Sequence, residues 1–255
     1  MHHPNLLQPF PRIARRLGAW LLAVGCLVPA LHAAEPASAP GITEPFLDVT
    51  LSTPVPGILN ARLFKEGEFI KEGQVLIELD KKLEELEADR RKLVRDQKNI
   101  DYEGTKKLFT NTTGISKEEL DKKEVDYRVS AVEYDMAVEQ LRRRQLVSPL
   151  SGTISEIHLQ VGEACAAYQP LARVVDTRRC YFITNVEARQ AAALKTGQNM
   201  RVELDTGAGM VTVPASITLL SPVVDPASGL RKVKLVFDNA DGRIVPGVAG
   251  RLILE

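Results

Sequence analysis

Apolar positions along the chain follow two periods, which divide it into strand-like and helix-like segments. Before residue 81 and after residue 146, short apolar runs alternate with glycine and proline, a pattern typical of strands and tight turns. Between residues 81 and 146, apolar residues recur every seven positions among charged ones, which is typical of coiled-coil helices. The pattern therefore predicts a mainly β protein with an α-helical coiled-coil hairpin inserted in its middle.

The segments on either side of the insertion contain the same sequence motif at a constant offset of 95 residues. The identical pairs are Pro54 and Pro149, Gly57 and Gly152, Gly67 and Gly162, Glu68 and Glu163, and Leu76 and Leu171. Because glycine and proline mark fixed backbone conformations, the two copies should share one backbone path. Neither copy is long enough to bury a core alone, so we expect two halves of one small β-domain.

The insertion, residues 81–146, predicts an antiparallel hairpin about 40 Å long. Its seam is predicted from the seven-residue spacing of Leu79, Leu86, Leu93 and Ile100 in one arm and Leu120, Tyr127, Tyr134 and Leu141 in the other. Asp80 is a candidate N-cap of the first helix, and Ser116 with Glu119 matches the capping box of the second. One narrow apolar stripe with charge elsewhere predicts a hairpin that projects from the β-domain, so that the molecule is elongated.

Residues 177–255 contain several short strand-like runs separated by turns, with one short helical segment at residues 187–196. This spacing predicts a small β-barrel or sandwich as the second β-domain, and the barrel is the form that the family resemblance described below implies.

The first 33 residues have the features of a cleavable signal peptide. Arg12, Arg15 and Arg16 precede an apolar run of about 15 residues, which is short of the roughly 20 that span a bilayer. A lipoprotein modified at Cys26 is a weaker alternative, because Ala23 stands where such signals usually have leucine. Residues 34–44, rich in proline, alanine and serine, predict a flexible leader. The protein is therefore expected in the periplasm.

Composition argues against several classes of function. The full chain has 33 basic and 33 acidic residues, so nucleic acid is not an expected partner. His158 is the one histidine after residue 33, and hydrolase motifs are absent, so we expect neither an enzyme, a metal site nor a cofactor. Cys165 and Cys180 could form a disulfide or remain buried thiols, and the apolar residue Ile70 at the position equivalent to Cys165 favours the thiol.

Four stretches carry a resemblance to a known family: Val55-Pro-Gly-Ile58, Lys65 to Asp80, Val147-Ser-Pro-Leu-Ser-Gly-Thr-Ile154, and Val245-Pro-Gly247. The split module resembles a biotinyl/lipoyl domain formed by residues 45–80 and 147–176. With its inserted hairpin and its barrel, the chain resembles the periplasmic adaptors, also called membrane fusion proteins, of the HlyD-like type. The resemblance implies a subunit that joins an inner-membrane transporter, of RND or ABC type, to an outer-membrane channel. It also implies a homo-oligomeric ring, for which six subunits is one candidate number.

The predicted hairpin tip is the candidate partner site. In drug-efflux members, the resemblance implies a tip motif of arginine, then leucine, then serine, and Ser116 occupies the last of these positions with Phe109 at the second. Thr105 stands where the arginine would be, which is a departure from that motif. Phe109, Ile115 and Ser116 are the predicted contact with the channel, although Phe109 and Ile115 could instead cap the coiled coil internally.

A second function, a biotinyl or lipoyl carrier, is also considered. A carrier would need a lysine at the tight turn that joins the two halves, and the 66-residue segment 81–146 replaces that turn.

Overall fold

The computed structural model describes residues 37–111 and 114–254, and these contain twelve strands and three helices. The strands are β1 (Ser38–Ser52), β2 (Gly57–Arg62), β3 (Phe69–Ile70), β4 (Val75–Leu79), β5 (Gln145–Val147), β6 (Gly152–Ile157), β7 (Ala164–Cys165), β8 (Pro170–Glu187), β9 (Asn199–Asp205), β10 (Met210–Val224), β11 (Leu230–Asp238) and β12 (Ala249–Ile253). The helices are α1 (Lys82–Asn111), α2 (Lys117–Arg142) and α3 (Ala188–Ala191). The predicted signal peptide and Cys26 lie outside the described residues.

The repeated motif folds twice into the same strand–turn–strand unit. Gly57 opens β2 and Gly152 opens β6, and the turns that follow hold Gly67 and Gly162 at φ of 84° and 92°. This left-handed region is costly for residues that carry a Cβ, which accounts for glycine in both turns. The predicted equivalence of the two glycine pairs is confirmed.

Equivalent hydrogen bonds join the two halves into one sandwich. The Gly67 amide donates to the Ile154 carbonyl, and the Gly162 amide donates to the Leu59 carbonyl, both at 2.8 Å. Leu59 and Ile154 are themselves 95 residues apart, and both are fully buried. β3 pairs with β6 while β7 pairs with β2, so each half supplies the short strand that completes the other. The prediction of a split module is confirmed.

The second β-domain is a closed barrel. Its strands are paired in the order β1-β12-β9-β10-β11-β8, and β1 also pairs with β8, which closes the ring. The barrel has its own core, centred on Phe182, Leu204 and Leu235, and the core of the sandwich is separate from it. The predicted barrel is confirmed, although its helix is limited to Ala188–Ala191.

Two long strands run through both domains, which the sequence did not predict. β1 and β8 pair antiparallel from Gly41 and Thr184 as far as Ser52 and Pro170, so the predicted domain boundaries at residues 45 and 176 fall inside strands. The prediction of a flexible leader was wrong from Ser38 onward. Its composition suggested flexibility, but β12 and β8 supply backbone partners that the segment lacks by itself.

The two long helices pack mainly on each other and project as a hairpin, as predicted. The predicted seam, however, is wrong for α1, because Leu86, Leu93 and Ile100 are 53%, 71% and 65% exposed. The buried residues of the two helices are Ala88, Thr105, Ser130 and Ala137. A seven-residue period locates a face of a helix but does not say which partner that face meets.

Candidate partner-binding surfaces on the hairpin

The inner seam, defined as the face where α1 and α2 of one chain meet, is largely polar. Arg91 forms an ion pair with Glu133, Lys98 lies 3.9 Å from Asp126, and the Arg95 guanidinium lies 4.4 Å from the centre of the Tyr134 ring. Basic side chains can cover such a seam with their aliphatic stems while their charged ends reach acidic partners. Large apolar side chains on α1 are therefore not needed between the helices.

Aromatic stacking and a small-residue contact complete the inner seam. The rings of Tyr102 and Tyr127 are parallel to within 3°, with centres 6.0 Å apart. Ala88 and Ala137, each almost fully buried, allow the helices to approach closely near the base. Of the predicted seam residues in α2, Tyr127 and Tyr134 do face α1, so the prediction was correct for this arm at these positions.

Arginine pairs on each helix shift the pKa of exposed carboxylates. Hydrogen bonds from Arg90 and Arg91 lower the pKa of Glu87 to about 2. On α2, hydrogen bonds from Arg142 and Arg143 lower the pKa of Glu139 to about 2. Both carboxylates therefore stay charged at any pH well above 2.

The base of the hairpin is fixed to the sandwich through the end of α2. Arg144 donates to Glu84 at 2.6 Å and to the Pro56 carbonyl at 2.9 Å. The Thr53 hydroxyl donates to the Arg143 carbonyl at 3.3 Å. The hairpin therefore leaves the sandwich in a fixed direction, which carries its far end away from both β-domains.

The predicted tip residues lie at that far end. Ser116 has an extended backbone and its hydroxyl accepts a hydrogen bond from the Glu119 amide at 3.1 Å, as predicted for an N-cap. Phe109 is 40% exposed in the last turn of α1, and Ile115 is half-buried just before α2. The structure brings these three residues to one end of the hairpin, beside residues 112–113, which lie outside the described part of the chain.

Thr105, at the arginine position of the efflux motif, is turned toward α2. Its side chain is 9% exposed, and its hydroxyl donates to the Asp101 carbonyl at 2.9 Å. An arginine here would have to leave the inner seam to reach solvent. Position 105 therefore differs from the motif both in its residue type and in its burial against α2.

Two apolar stripes face away from the inner seam. The α1 stripe consists of Leu83, Leu86, Leu93 and Ile100, and the α2 stripe consists of Val125, Val129, Val132 and Met136. All eight side chains are more than half exposed. Sequence analysis missed the α2 stripe, although its spacing of four, three and four residues is that of a coiled-coil face.

The described residues offer little for catalysis or cofactor binding. Cys165 and Cys180 are both free and lie in the two different cores, so the disulfide alternative is excluded. Burial raises the pKa of Cys180 to about 11, which keeps it a protonated thiol. Residues 37–111 and 114–254 contain no cluster of three or more His, Cys, Asp or Glu arranged to hold a metal.

Within the same residues, neither long helix has an apolar stretch that could cross a bilayer.

A sandwich built from two sequence halves, a hairpin inserted between them and a six-stranded barrel define the membrane fusion protein class. The family model "RND MFP, barrel-sandwich hybrid domain" matches residues 48–177, and the "CusB-like, beta-barrel domain" matches residues 183–255. The chain therefore belongs to the RND membrane fusion protein family.

Relatives agree with this assignment. The solvent efflux pump periplasmic linker SrpA of Pseudomonas putida is 26% identical over 85% of this chain and 60% of its own length. The multidrug resistance protein MexA of Pseudomonas aeruginosa is 26% identical over 82% of this chain and 58% of its own length. The chain thus spans less than two thirds of these relatives.

Among solved structures, a MacA–MexA chimeric protein that carries the P. aeruginosa MexA α-hairpin has the same fold. Its TM-score is 0.74 at 17% identity, over 86% of this chain and 79% of that one.

Proposed function

We propose that this protein is a periplasmic adaptor of a multicomponent efflux or secretion system. It bridges an inner-membrane transporter and an outer-membrane channel, and it catalyses no reaction. The observation that carries the proposal is the projecting hairpin between the two halves of the sandwich, in a chain of the membrane fusion protein family. The same insertion disfavours the carrier alternative, because β4 and β5 are not joined by a tight turn with a modifiable lysine.

The proposal assigns one end of the molecule to each partner. The barrel end faces the transporter, for which the RND type is favoured over the ABC type by the descriptions of the matching family models. The hairpin tip faces the channel. Residues 1–33 act as a cleavable signal peptide that directs export, and lipid attachment at Cys26 is the less favoured alternative. Copies of the chain assemble into a ring, through which the substrate passes.

The tip residues Phe109, Ile115 and Ser116 are the proposed channel contact. Exposed apolar side chains on a projecting element are typical of partner sites. Replacing Phe109 and Ile115 together with serine should abolish transport in cells while the purified protein melts at the temperature of the wild type. Ile58→Ser is the matched control, because Ile58 is also an exposed apolar residue but lies on β2 of the sandwich, which is assigned to neither partner.

Two results would contradict this tip assignment. One is a melting temperature of the double variant that falls in parallel with transport, which would mean that the two side chains cap the coiled coil internally. The other is normal transport with no crosslink to the channel from a photoreactive group at position 116.

A further inference from the structure

A cleft with a volume of about 590 Å³ lies where the sandwich and the barrel meet, apart from the surfaces of the hairpin. Residues of β1, β6 and β8 line it, together with residues 245–247 of the loop before β12. The lining is mostly apolar, and we call this site the junction cleft. Its volume is within the range of pockets that hold drug-sized molecules.

The loop before β12 is held in place by hydrogen bonds to Thr43, so this wall of the cleft is formed before any ligand enters. The Gly247 amide donates to the Thr43 carbonyl at 2.8 Å, and the Val248 amide donates to the Thr43 hydroxyl oxygen at 3.0 Å. That hydroxyl in turn donates to the Val248 carbonyl at 3.1 Å, and Thr43 is almost fully buried. A site with a fixed wall loses little conformational entropy on binding.

Two apolar side chains of the cleft are largely exposed in spite of this fixed backbone. Val245 is 69% exposed and Ile42 is 47% exposed, whereas Ile244, next to Val245 in the loop, is buried in the barrel core. Pro45 and Val175 add further apolar surface to the same cleft. Because hydrogen bonds hold the loop, Val245 cannot turn inward. An apolar molecule in the cleft would remove both exposed side chains from water.

The charged groups of the cleft favour a cation. Among the described residues that line it, Arg173 is the one with a basic side chain. Its guanidinium is already shared by Asp48, which is 2.8 Å from Nε, and by Glu156, which is 3.3 Å from Nη1. Glu44 also lines the cleft and forms no ion pair with another described residue. Arg173 is therefore not free to bind an anionic ligand, whereas the carboxylate of Glu44 is free to attract a cation.

We propose that the junction cleft binds a small amphiphilic cation, with its apolar body against Val245 and Ile42 and its positive charge near Glu44. The inference goes beyond the proposed adaptor function, because that function assigns the hairpin tip and the barrel end to partners and leaves the junction without a role. Since residues of both β-domains line the cleft, a bound cation contacts the sandwich and the barrel together. Binding to the folded chain alone stabilises that fold.

Two probes of almost the same shape and opposite charge test the proposal. Tetraphenylphosphonium is a cation and tetraphenylborate is an anion, and each carries phenyl rings around a central atom. Isothermal titration calorimetry of the purified protein should show that tetraphenylphosphonium binds about tenfold more tightly than tetraphenylborate. Tetraphenylphosphonium should also raise the melting temperature. Equal affinities for the two probes, or tighter binding of the borate, would overturn the proposal.

Substitutions at position 44 show whether the probe occupies this cleft. Glu44→Gln should weaken tetraphenylphosphonium binding about fivefold, and Glu44→Lys should reverse the preference in favour of tetraphenylborate. Both variants should melt near the wild-type temperature, since Glu44 is exposed and has no ion pair to lose. Glu187→Gln is the matched control, because Glu187 is also exposed but lies at the far end of β8. An unchanged affinity in Glu44→Gln, or an equal loss in Glu187→Gln, would show that the probe binds elsewhere and would overturn the proposal.

The apolar wall is tested without any change of charge. Val245→Ser should weaken the binding of both probes by a similar factor, roughly fivefold, because it removes apolar contact that does not depend on the sign of the ligand's charge. Val223→Ser is the matched control, because Val223 is 68% exposed but lies on β10. Unchanged affinities in Val245→Ser would contradict the assignment of this wall.

Discussion

At the scale of single residues, Asp176 links pH to stability at the junction of the two β-domains. Its side chain is 7% exposed and accepts hydrogen bonds from the Arg178 amide at 3.1 Å, from Nε at 2.9 Å and from Nη2 at 2.8 Å. The hydrogen bond from the Arg178 side chain is the main reason that the pKa of Asp176 lies below its usual 3.8. A lowered pKa means that the charged carboxylate is more stable in the folded protein than in the unfolded chain. Its contribution to the free energy of unfolding is therefore present above about pH 4 and is lost as the pH falls below that value.

Asp176→Asn should therefore lower the free energy of unfolding by about 1–2 kcal/mol at neutral pH, with a smaller difference at pH 3. Urea unfolding at the two pH values measures this. Asp241→Asn is the control, because Asp241 also has a lowered pKa but is exposed and bonds only to Arg243 beside it. A destabilisation by Asp176→Asn that is the same at both pH values would contradict the assignment.

The repeated glycines Gly57 and Gly152 give a second test at this scale, because they are equivalent in sequence but not in their surroundings. A Cβ on Gly152 would lie 2.5 Å from the Val175 carbonyl oxygen, which is a backbone atom and cannot move aside cheaply. A Cβ on Gly57 would meet only side-chain atoms, Nη1 of Arg144 at 3.0 Å and Cδ1 of Leu79 at 3.2 Å, which need to shift by a few tenths of an ångström. Gly152→Ala should cost ~1–3 kcal/mol in chemical denaturation and Gly57→Ala clearly less. Equal losses of stability in the two variants would contradict the difference in steric contacts around the two glycines.

At the scale of elements, the hairpin shows how far the sequence could lead. Period and charge were sufficient for two antiparallel helices, for the N-cap Ser116 of α2 and for the seam positions Tyr127 and Tyr134. They were not sufficient for α1, because its leucines and its Ala88–Thr105 face both follow a seven-residue spacing. Choosing between the two faces depends on which one meets α2, and only tertiary contacts supply that. The inner seam of stacked rings and arginine stems has no strong apolar signal.

Two substitutions in α1 test which of its faces packs against α2. Ala88→Leu should destabilise the hairpin by ~1–3 kcal/mol, because a larger side chain must fit against α2 at a buried position. Leu93→Ala should change the monomer by no more than about 0.5 kcal/mol, since Leu93 is largely exposed. Thermal melting followed by circular dichroism, at a concentration where the protein is monomeric, checks both. A larger effect at Leu93 would restore the seam predicted from sequence.

At the scale of the whole molecule, β1 and β8 run through both the sandwich and the barrel, so we expect the two domains to unfold as one cooperative unit in spite of their separate cores. Sequence analysis placed a flexible leader in β1 because residues 34–44 are rich in proline, alanine and serine, and it placed domain boundaries at residues 45 and 176, inside β1 and β8. Backbone pairing with β12 and β8 outweighs those local signals. The half-motifs of the sandwich were predictable, by contrast, since their glycines and prolines fix the local backbone wherever they occur.

Hydrogen exchange tests this cooperativity. Amides of β8 in the sandwich part, such as Val174, and in the barrel part, such as Phe182, should share one opening free energy as denaturant is raised. Native-state exchange read by NMR or mass spectrometry measures both. Separate free energies for the two parts would mean that the domains unfold independently at their junction.

The polar inner seam has a consequence for how the protein meets proteases. Individual surface ion pairs stabilise a helix pair only slightly, so the hairpin is held together weakly. A region of low local stability opens before the rest of a fold and is cut first. Limited proteolysis should therefore begin within the hairpin and leave the two halves of the sandwich associated with the barrel.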